Sequence, residues 1–428
     1  MEDAQPVQLV ALERDWIVGI SGSDFYEKAC AYAETIKMLS AADRLRGVLL
    51  AECDPIEFSA AFFAAMSLGV PVILANPKWG ARERAELARL VSPKLCFGLE
   101  LDNGVSKNPR LPMGRVLIPT GGSTGGVKLA THTWESLAAA CRGVQEFLGG
   151  GVIDSCCVLP LYHVSGLMQL LRSFITSGRI RFDEDAVASY CLSYVPTQLQ
   201  RALANSGQCE MLNAARAIFV GGGPLSEAVA DEARKRGLPI VPVYGMTETA
   251  AMVAAISAED FRVNPKIGAK PVGLSSFSIE SDGAIRIQSP ALFEGYHGRP
   301  SPDLTHGYLT SDQGYLDAEG RLHVTGRMDR LIITGGEKVD PLEVEAVLRE
   351  FLGLDELLVY GVSDPDWGQR VVVFYTSEEA KELQSDWYER VRPHLANYKI
   401  PKQWLRVDSL PLDPRGKVDH GLIHQLLG

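Results

Sequence analysis

Through the first two thirds of the chain, short apolar runs alternate with longer stretches in which apolar positions recur at helical spacing. The runs Val48 to Ala51, Val70 to Leu74, Val116 to Pro119, Val158 to Leu161, Ala217 to Val220 and Ile240 to Tyr244 read as buried strands. Between them, Trp134, Leu137, Ala138, Cys141, Val144 and Leu148 share one helical face, and Gly149 to Gly151 stop that helix. Gly221, Gly222, Gly223 and Pro224 follow another strand, with Ser226 placed to cap a helix to Lys235 and Gly237 as its stop. Phe58 to Ala75 is uncharged and long enough to consider as a membrane span. Gly69 and Pro71 break it, so Ile56 to Leu68 reads as a buried helix, Val70 to Leu74 as a strand, and no stable membrane insertion is expected. Such alternation predicts parallel sheets covered by helices, with ligand-binding loops at the carboxyl ends of the strands.

The pattern then changes twice. From about 265 to 328 it shortens into β-like pieces rich in turn residues, such as Ser281-Asp282-Gly283 and Asp317 to Gly320, which predicts a small antiparallel or barrel-like part. Beyond Asp329, Asp340-Pro341 caps a helix to Leu352, Leu357 to Val362 and Arg370 to Tyr375 read as strands, and Glu379 to Leu395 reads as helical. The expected fold class is therefore α/β. A large N-terminal domain (1–328), made of helix-covered sheets and a small β subdomain, precedes a small α+β C-terminal domain (329–428).

Composition narrows the function. The 428 residues are 46% hydrophobic and 22% charged, enough apolar material for a large core. A formal charge of -11 argues against general nucleic-acid binding, so any anion site must be local. The eight cysteines have no CxxC pair and no zinc-site spacing, and read as buried thiols in a reducing compartment. No secretory signal is visible near Glu2, Asp3 and Glu13, so a cytoplasmic location is expected, while the oligomeric state stays open.

The best clue to chemistry is the segment Thr120-Gly121-Gly122-Ser123-Thr124-Gly125-Gly126-Val127-Lys128, which leaves the run Val116 to Pro119. Glycines let consecutive N–H groups turn toward one anion, Ser123 and Thr124 add hydroxyl donors, and Lys128 adds a positive charge. A nucleotide triphosphate suits such a loop. It fits neither the GxxxxGK[ST] nor the GxGxxG pattern, and alone it could be an ordinary turn.

Four further segments follow in order: Tyr244-Gly245-Met246-Thr247-Glu248, Tyr308 to Asp312, Gly326 to Arg330, and Pro414 to Val418. The series resembles the adenylate-forming superfamily of acyl-CoA synthetases, adenylation domains and luciferases, over residues from about 110 onward. The resemblance implies ATP, Mg²⁺ and coenzyme A as cofactor and co-substrates, with a small carboxylic acid as the partner to be activated. It implies that Lys417 bridges the attacking carboxylate and the α-phosphate, that Asp312 accepts from the ribose hydroxyls with Arg327 assisting, and that Glu248 holds Mg²⁺. It likewise puts Thr247 near the α-phosphate and Tyr244 near the adenine face, makes Gly245 and Met246 nucleotide-binding residues, and sets Gly221 to Gly223 where adenine approaches the backbone. Asp329 resembles the hinge of a mobile C-terminal lid, and Gly335-Gly336-Glu337 the loop a second lid orientation brings to the thiol channel. The sequence departs from the family pattern with Gly121 where serine is usual, Val127 where proline is usual and Leu129 where glycine is usual. The first departure puts some hydroxyl contacts to pyrophosphate in doubt.

A narrower likeness rests on Pro119 to Ser123, His132-Thr133-Trp134-Glu135 and Leu159 to Leu167, which resemble the o-succinylbenzoate:CoA ligases of menaquinone and phylloquinone biosynthesis. Their substrate carries one carboxylate to be activated and a second on the ring, so an apolar pocket with a cationic counter-group is expected. Arg172, alone among Leu167, Met168, Leu170, Leu171 and Phe174, is the candidate, although a helix-end arginine can also reach solvent. His163 resembles a family position near the acyl site. A ligase for another aryl or short-chain acid, a carrier-loading adenylation enzyme and a non-catalytic nucleotide-binding regulator stay open as alternatives.

Overall fold

The computed structural model describes residues 7–101, 110–121, 127–327, 331–334, 337–364, 366–377, 384–413 and 418–427. The chain divides into two compact units. The first comprises Met1–Ser278, Arg286–Tyr308 and Leu316–Leu322, and the second Ile279–Ile285, Leu309–Tyr315 and His323–Gly428.

Two helix-covered sheets dominate the first unit, and the α/β expectation holds. One sheet has the strand order Gly295–Tyr296, Val127–His132, Val116–Gly121, Val72–Leu74, Val48–Leu50, Leu95–Phe97. Its last four strands are parallel, and Val127–His132 runs antiparallel to both of its neighbours. Because side chains alternate across a strand, Val48, Leu50, Val72, Leu74, Val116 and Ile118 join one hydrophobic cluster, while Leu49, Ile73 and Leu117 join another on the opposite face. The uncharged stretch after Phe58 resolves as expected into the helix Pro55–Ser67, buried from Phe58 to Ser67, and the strand Val72–Leu74. Among the described residues no helix is long and apolar enough to cross a membrane.

The second sheet has the order Lys270–Pro271, Ala251–Ala255, Ile240–Met246, Ala217–Val220, Cys191–Tyr194, Ser155–Cys156, Ile180–Arg181. Its strands are parallel from Ile240–Met246 to the Ile180 edge, and the other two run antiparallel. Leu192, Ile218, Val220 and Ile240 pack on one face, and Cys191, Ala217, Phe219 and Val241 on the other. One expected strand is corrected here. Pairing occurs at Ser155–Cys156, and Val158 to Leu161 forms no strand. Pro160 has no N–H for a ladder, and its carbonyl lies where a Cβ on Gly166 would come within 2.2 Å, so the segment turns instead into the helix Val164–Ile175.

Strands Ser276–Ile279, Ala284–Gln288, Tyr308–Leu316 and Leu322–Arg327 form a four-stranded sheet in that order. In the second unit, Glu337–Val339, Ile332–Thr334, Gly368–Tyr375 and Leu357–Asp364 form another, with Gln403–Arg406 pairing to Gly368–Tyr375. Asp340 caps the helix Pro341–Leu352 by accepting from the Leu342 N–H, as its sequence predicts. The helix expected over 379–395 is described as Gln384–Val391, with 378–383 outside the described residues. Leu357, Val359, Val371 and Val373 pack on one face of this sheet, and Leu358, Val372 and Phe374 on the other, so the second unit has its own core on each side.

Candidate active site

The glycine-rich segment joins two strands of one hairpin. Val116–Gly121 and Val127–His132 pair antiparallel, with Thr120 opposite Lys128 and Gly121 opposite Val127. Gly122, Ser123, Thr124 and Gly125 lie outside the described residues, as do Asp329, Gly335, Gly336 and Lys417. At the base of the loop the Val127 N–H donates to Glu86 Oε2 at 3.0 Å. Proline, the family's usual residue at this position, could not make that bond. The departure therefore ties the loop's exit to the helix Ala81–Leu90.

The Tyr244 to Glu248 segment is built by a distorted strand end. Ile240–Met246 shifts register against Ala251–Ala255 between Tyr244 and Gly245. A Cβ on Gly245 would lie 1.9 Å from the Ala251 carbonyl oxygen, so only glycine fits. The chain then makes the 3-10 turn Thr247–Thr249, pinned by Thr249, whose hydroxyl accepts from the Met246 N–H at 3.0 Å and donates to the Ala251 carbonyl at 2.6 Å. Ala250 and Ala251 follow with φ of 50° and 77°, two non-glycine residues in left-handed backbone beside Thr247 and Glu248.

Glu248 is held in place from several sides. It is 8% exposed, the Phe293 N–H donates to its carbonyl at 2.9 Å, and the Tyr296 hydroxyl donates to its Oε1. Burial, with the Glu248 carboxylate beside it, pushes the Tyr296 phenol well above its ordinary value. Tyr296 reaches this position because Gly295–Tyr296 pairs with Val127–His132, and the same placement sets its ring 5.6 Å from the Lys128 ammonium. The far end of that strand carries His132, fully buried, with Nε2 2.7 Å from the Thr247 carbonyl oxygen and Nδ1 3.1 Å from the Ser136 hydroxyl. Sequence reasoning singled out neither the contact of His132 nor Tyr296, whose only visible signal was an aromatic after a glycine in a turn-rich stretch.

Gly221 to Gly223 follow Ala217–Val220 at its carboxyl end. A Cβ on Gly221 would come within 2.6 Å of Val243 Cγ2, which brings this turn against the strand that leads into Tyr244. In the second unit, Asp312 on Tyr308–Leu316 is 5% exposed and Arg327 Nη1 lies 3.0 Å from its Oδ1. The pair expected from the sequence is thus brought together, its carboxylate buried.

His163 and Arg172 share one helix but not one place. His163 is the residue before Val164–Ile175, half-buried, its ring 4.5 Å from that of Tyr162. Arg172 lies nine positions on, roughly 13 Å along the axis at the standard helical rise. It does not reach solvent. At 2% exposure it lies over the Phe219 ring at 5.1 Å, its Nε donates to the Met168 carbonyl, and its Nη1 has no hydrogen-bond partner. Burial lowers its proton affinity below that of an ordinary arginine, and Cys141, Cys157 and Cys191 are its titratable neighbours. Burial pushes those thiols up, the first two to about 12 and the third to about 11, so they stay neutral. No ion pair neutralises Arg172 among the described residues. All eight cysteines are free thiols, but not all are buried as expected: Cys53, in the bend before the helix Pro55–Ser67, is exposed, and Cys30 and Cys96 are half-buried.

Among the described residues no group of three or more His, Cys, Asp or Glu could hold a metal ion. A single carboxylate such as Glu248, one oxygen held by a neutral donor, fits a magnesium ion that takes its remaining ligands from phosphates and water.

Helix-covered sheets with functional loops at their strand ends, joined to a small α+β unit, are the architecture of an adenylate-forming enzyme. The o-succinylbenzoate CoA synthetase from Bacillus subtilis, in complex with its acyl-adenylate intermediate, matches this structure with TM-score 0.76 and 26% identity, over 94% of this chain and 93% of that one. ATP-bound MatB from Rhodopseudomonas palustris shares the fold, with TM-score 0.79 and 21% identity over 96% and 94% of the two chains. In sequence, the 2-succinylbenzoate–CoA ligase of Listeria monocytogenes is 33% identical over 330 residues, 72% of this chain and 68% of the relative. The family described as AMP-binding enzyme matches residues 114–297, and the AMP-binding enzyme C-terminal domain matches 343–417. The chain belongs to the AMP-binding enzyme family.

Proposed function

We propose that this protein is an ATP-dependent 2-succinylbenzoate:CoA ligase, acting in the cytoplasm in quinone biosynthesis. A carboxylate does not react with a thiol as it stands, because oxide is too poor a leaving group. In the first step a carboxylate oxygen attacks the α-phosphorus of ATP, forming the acyl-adenylate and releasing pyrophosphate. In the second the CoA sulfur attacks the acyl carbon, AMP leaves, and the thiol proton passes to solvent.

In this reading Thr120, Gly121 and Lys128, with Gly122 to Gly125, cradle the β- and γ-phosphates. Gly221 to Gly223 and Tyr244 to Met246 hold the adenine, the Asp312–Arg327 pair takes the ribose, and Thr247 meets the α-phosphate. Magnesium, when bound, neutralises charge on the phosphates, and Glu248 is its protein ligand. Residues 329–428 form the lid, turning at Asp329 and bringing Lys417 to the two mutually repelling anions.

The observation that carries the choice of acid is Arg172: a guanidinium buried among thiols and an aromatic ring, one nitrogen unpaired and no counter-ion among the described residues. A buried cation requires an anion, and the second carboxylate of 2-succinylbenzoate supplies one. His163, at the other end of the helix, fits a contact near the acyl site. Pyrophosphate and CoA-thioester formation should be compared for 2-succinylbenzoate, benzoate, coumarate and octanoate. The dicarboxylate should be preferred in both steps. Arg172→Met should lower its kcat/KM about 100-fold or more while leaving benzoate turnover unchanged. Equal loss with both acids would remove Arg172 from substrate recognition, and pyrophosphate release without thioester would favour carrier loading.

A further inference from the structure

We propose that Tyr296 is a positioning residue that holds two opposite charges ready for the nucleotide and keeps them from neutralising each other. The inference rests on the reading of Glu248 as the magnesium ligand and Lys128 as a phosphate cation. Its basis is a set of contacts within the first unit: the Tyr296 hydroxyl on Glu248 Oε1, and the Lys128 ammonium 5.6 Å from the Tyr296 ring centroid.

The hydroxyl and the ring do different work. A phenol has one proton, and here it goes to Glu248, so Tyr296 can only accept in its hydrogen bond with Tyr308. Being neutral, the phenol fixes the carboxylate's orientation without cancelling its charge. A lysine or arginine in its place would compete with a metal ion. Among the described residues no other side chain bonds Glu248, so its second oxygen is left for the cation. The π face, meanwhile, attracts cations on its own account, and Arg299 lies 5.8 Å from it as well. Lys128 therefore rests against an aromatic ring rather than on the nearby acid, and no Lys128–Glu248 ion pair forms among the described residues.

The test uses the full chain and an ATP analogue with a methylene bridge between the α- and β-phosphates, titrated calorimetrically over a range of magnesium concentrations without turnover. Tyr296→Phe keeps the ring and loses the hydroxyl. It should raise the magnesium concentration for half-maximal analogue binding roughly tenfold, and leave affinity in the absence of magnesium unchanged. Tyr296→Leu loses both and should add a few-fold weakening of metal-free binding. A phenylalanine variant with the magnesium dependence of the parent would overturn the proposal. Glu248→Gln separates the two levels: if it shifts the magnesium dependence and Tyr296→Phe does not, only the positioning role falls. If neither shifts it, the metal assignment of Glu248 falls too. Should the leucine variant fail to fold, the phenylalanine variant alone decides the hydroxyl's part.

Discussion

His132 shows how one buried ring can tie the stability of the site to pH. A carbonyl can only accept, so the 2.7 Å contact between Nε2 and the Thr247 oxygen requires a proton on Nε2. Burial disfavours a second proton, and although the Thr247 carbonyl opposes this, the pKa falls to about 4. In the unfolded chain the same ring titrates near 6.5. The folded state thus binds fewer protons between those values. Its advantage from this residue is complete above the unfolded pKa and is lost as pH drops toward 4, in total about 3 kcal/mol. His132→Gln keeps a donor for the carbonyl but cannot titrate. Urea midpoints of this variant should depend less steeply on pH between 4 and 6.5 than those of the parent. Parallel curves would show that the ring is not held neutral.

At the scale of elements, the distorted end of Ile240–Met246 is the feature most sensitive to change. Adding one methyl at Gly245 drives it to 1.9 Å from the Ala251 oxygen. Gly245→Ala should therefore cost roughly 1–3 kcal/mol and displace Thr247 and Glu248 together, read as a lower thermal midpoint with weaker analogue binding. Much of this was legible beforehand. The strands through Val220 and Tyr244 and the helices capped by Ser226 and Asp340 follow from local pattern, and the family resemblance puts Asp312 and Arg327 near one another. What local pattern missed has physical causes. Val158 to Leu161 has the composition of a strand, but Pro160 and the close approach at Gly166 stop it from pairing. Arg172 stands out as a charge in an apolar helix, yet its missing counter-ion depends on what three other elements place around it. Tyr296 acts only because a two-residue strand docks on the edge of the glycine-loop hairpin.

For the whole molecule, a formal charge of -11 means that an anionic nucleotide and an anionic acid are drawn in by a few local cations and not by the general field. Lys417 is the one assigned to the moment of bond formation. Lys417→Ala should abolish pyrophosphate release from ATP and acid, and leave thioester formation from supplied acyl-adenylate largely intact. Loss of both half-reactions together would refute that assignment. Within the second unit, Leu412 and Val418 form a β-bridge and both pack on the cluster around Phe374. On the proposed lid reading, a cation carried by one body and needed for only one of two half-reactions makes turnover a matter of timing, so substitutions at Asp329 should slow the switch seen in single-turnover traces while sparing the intrinsic reactivity of each step.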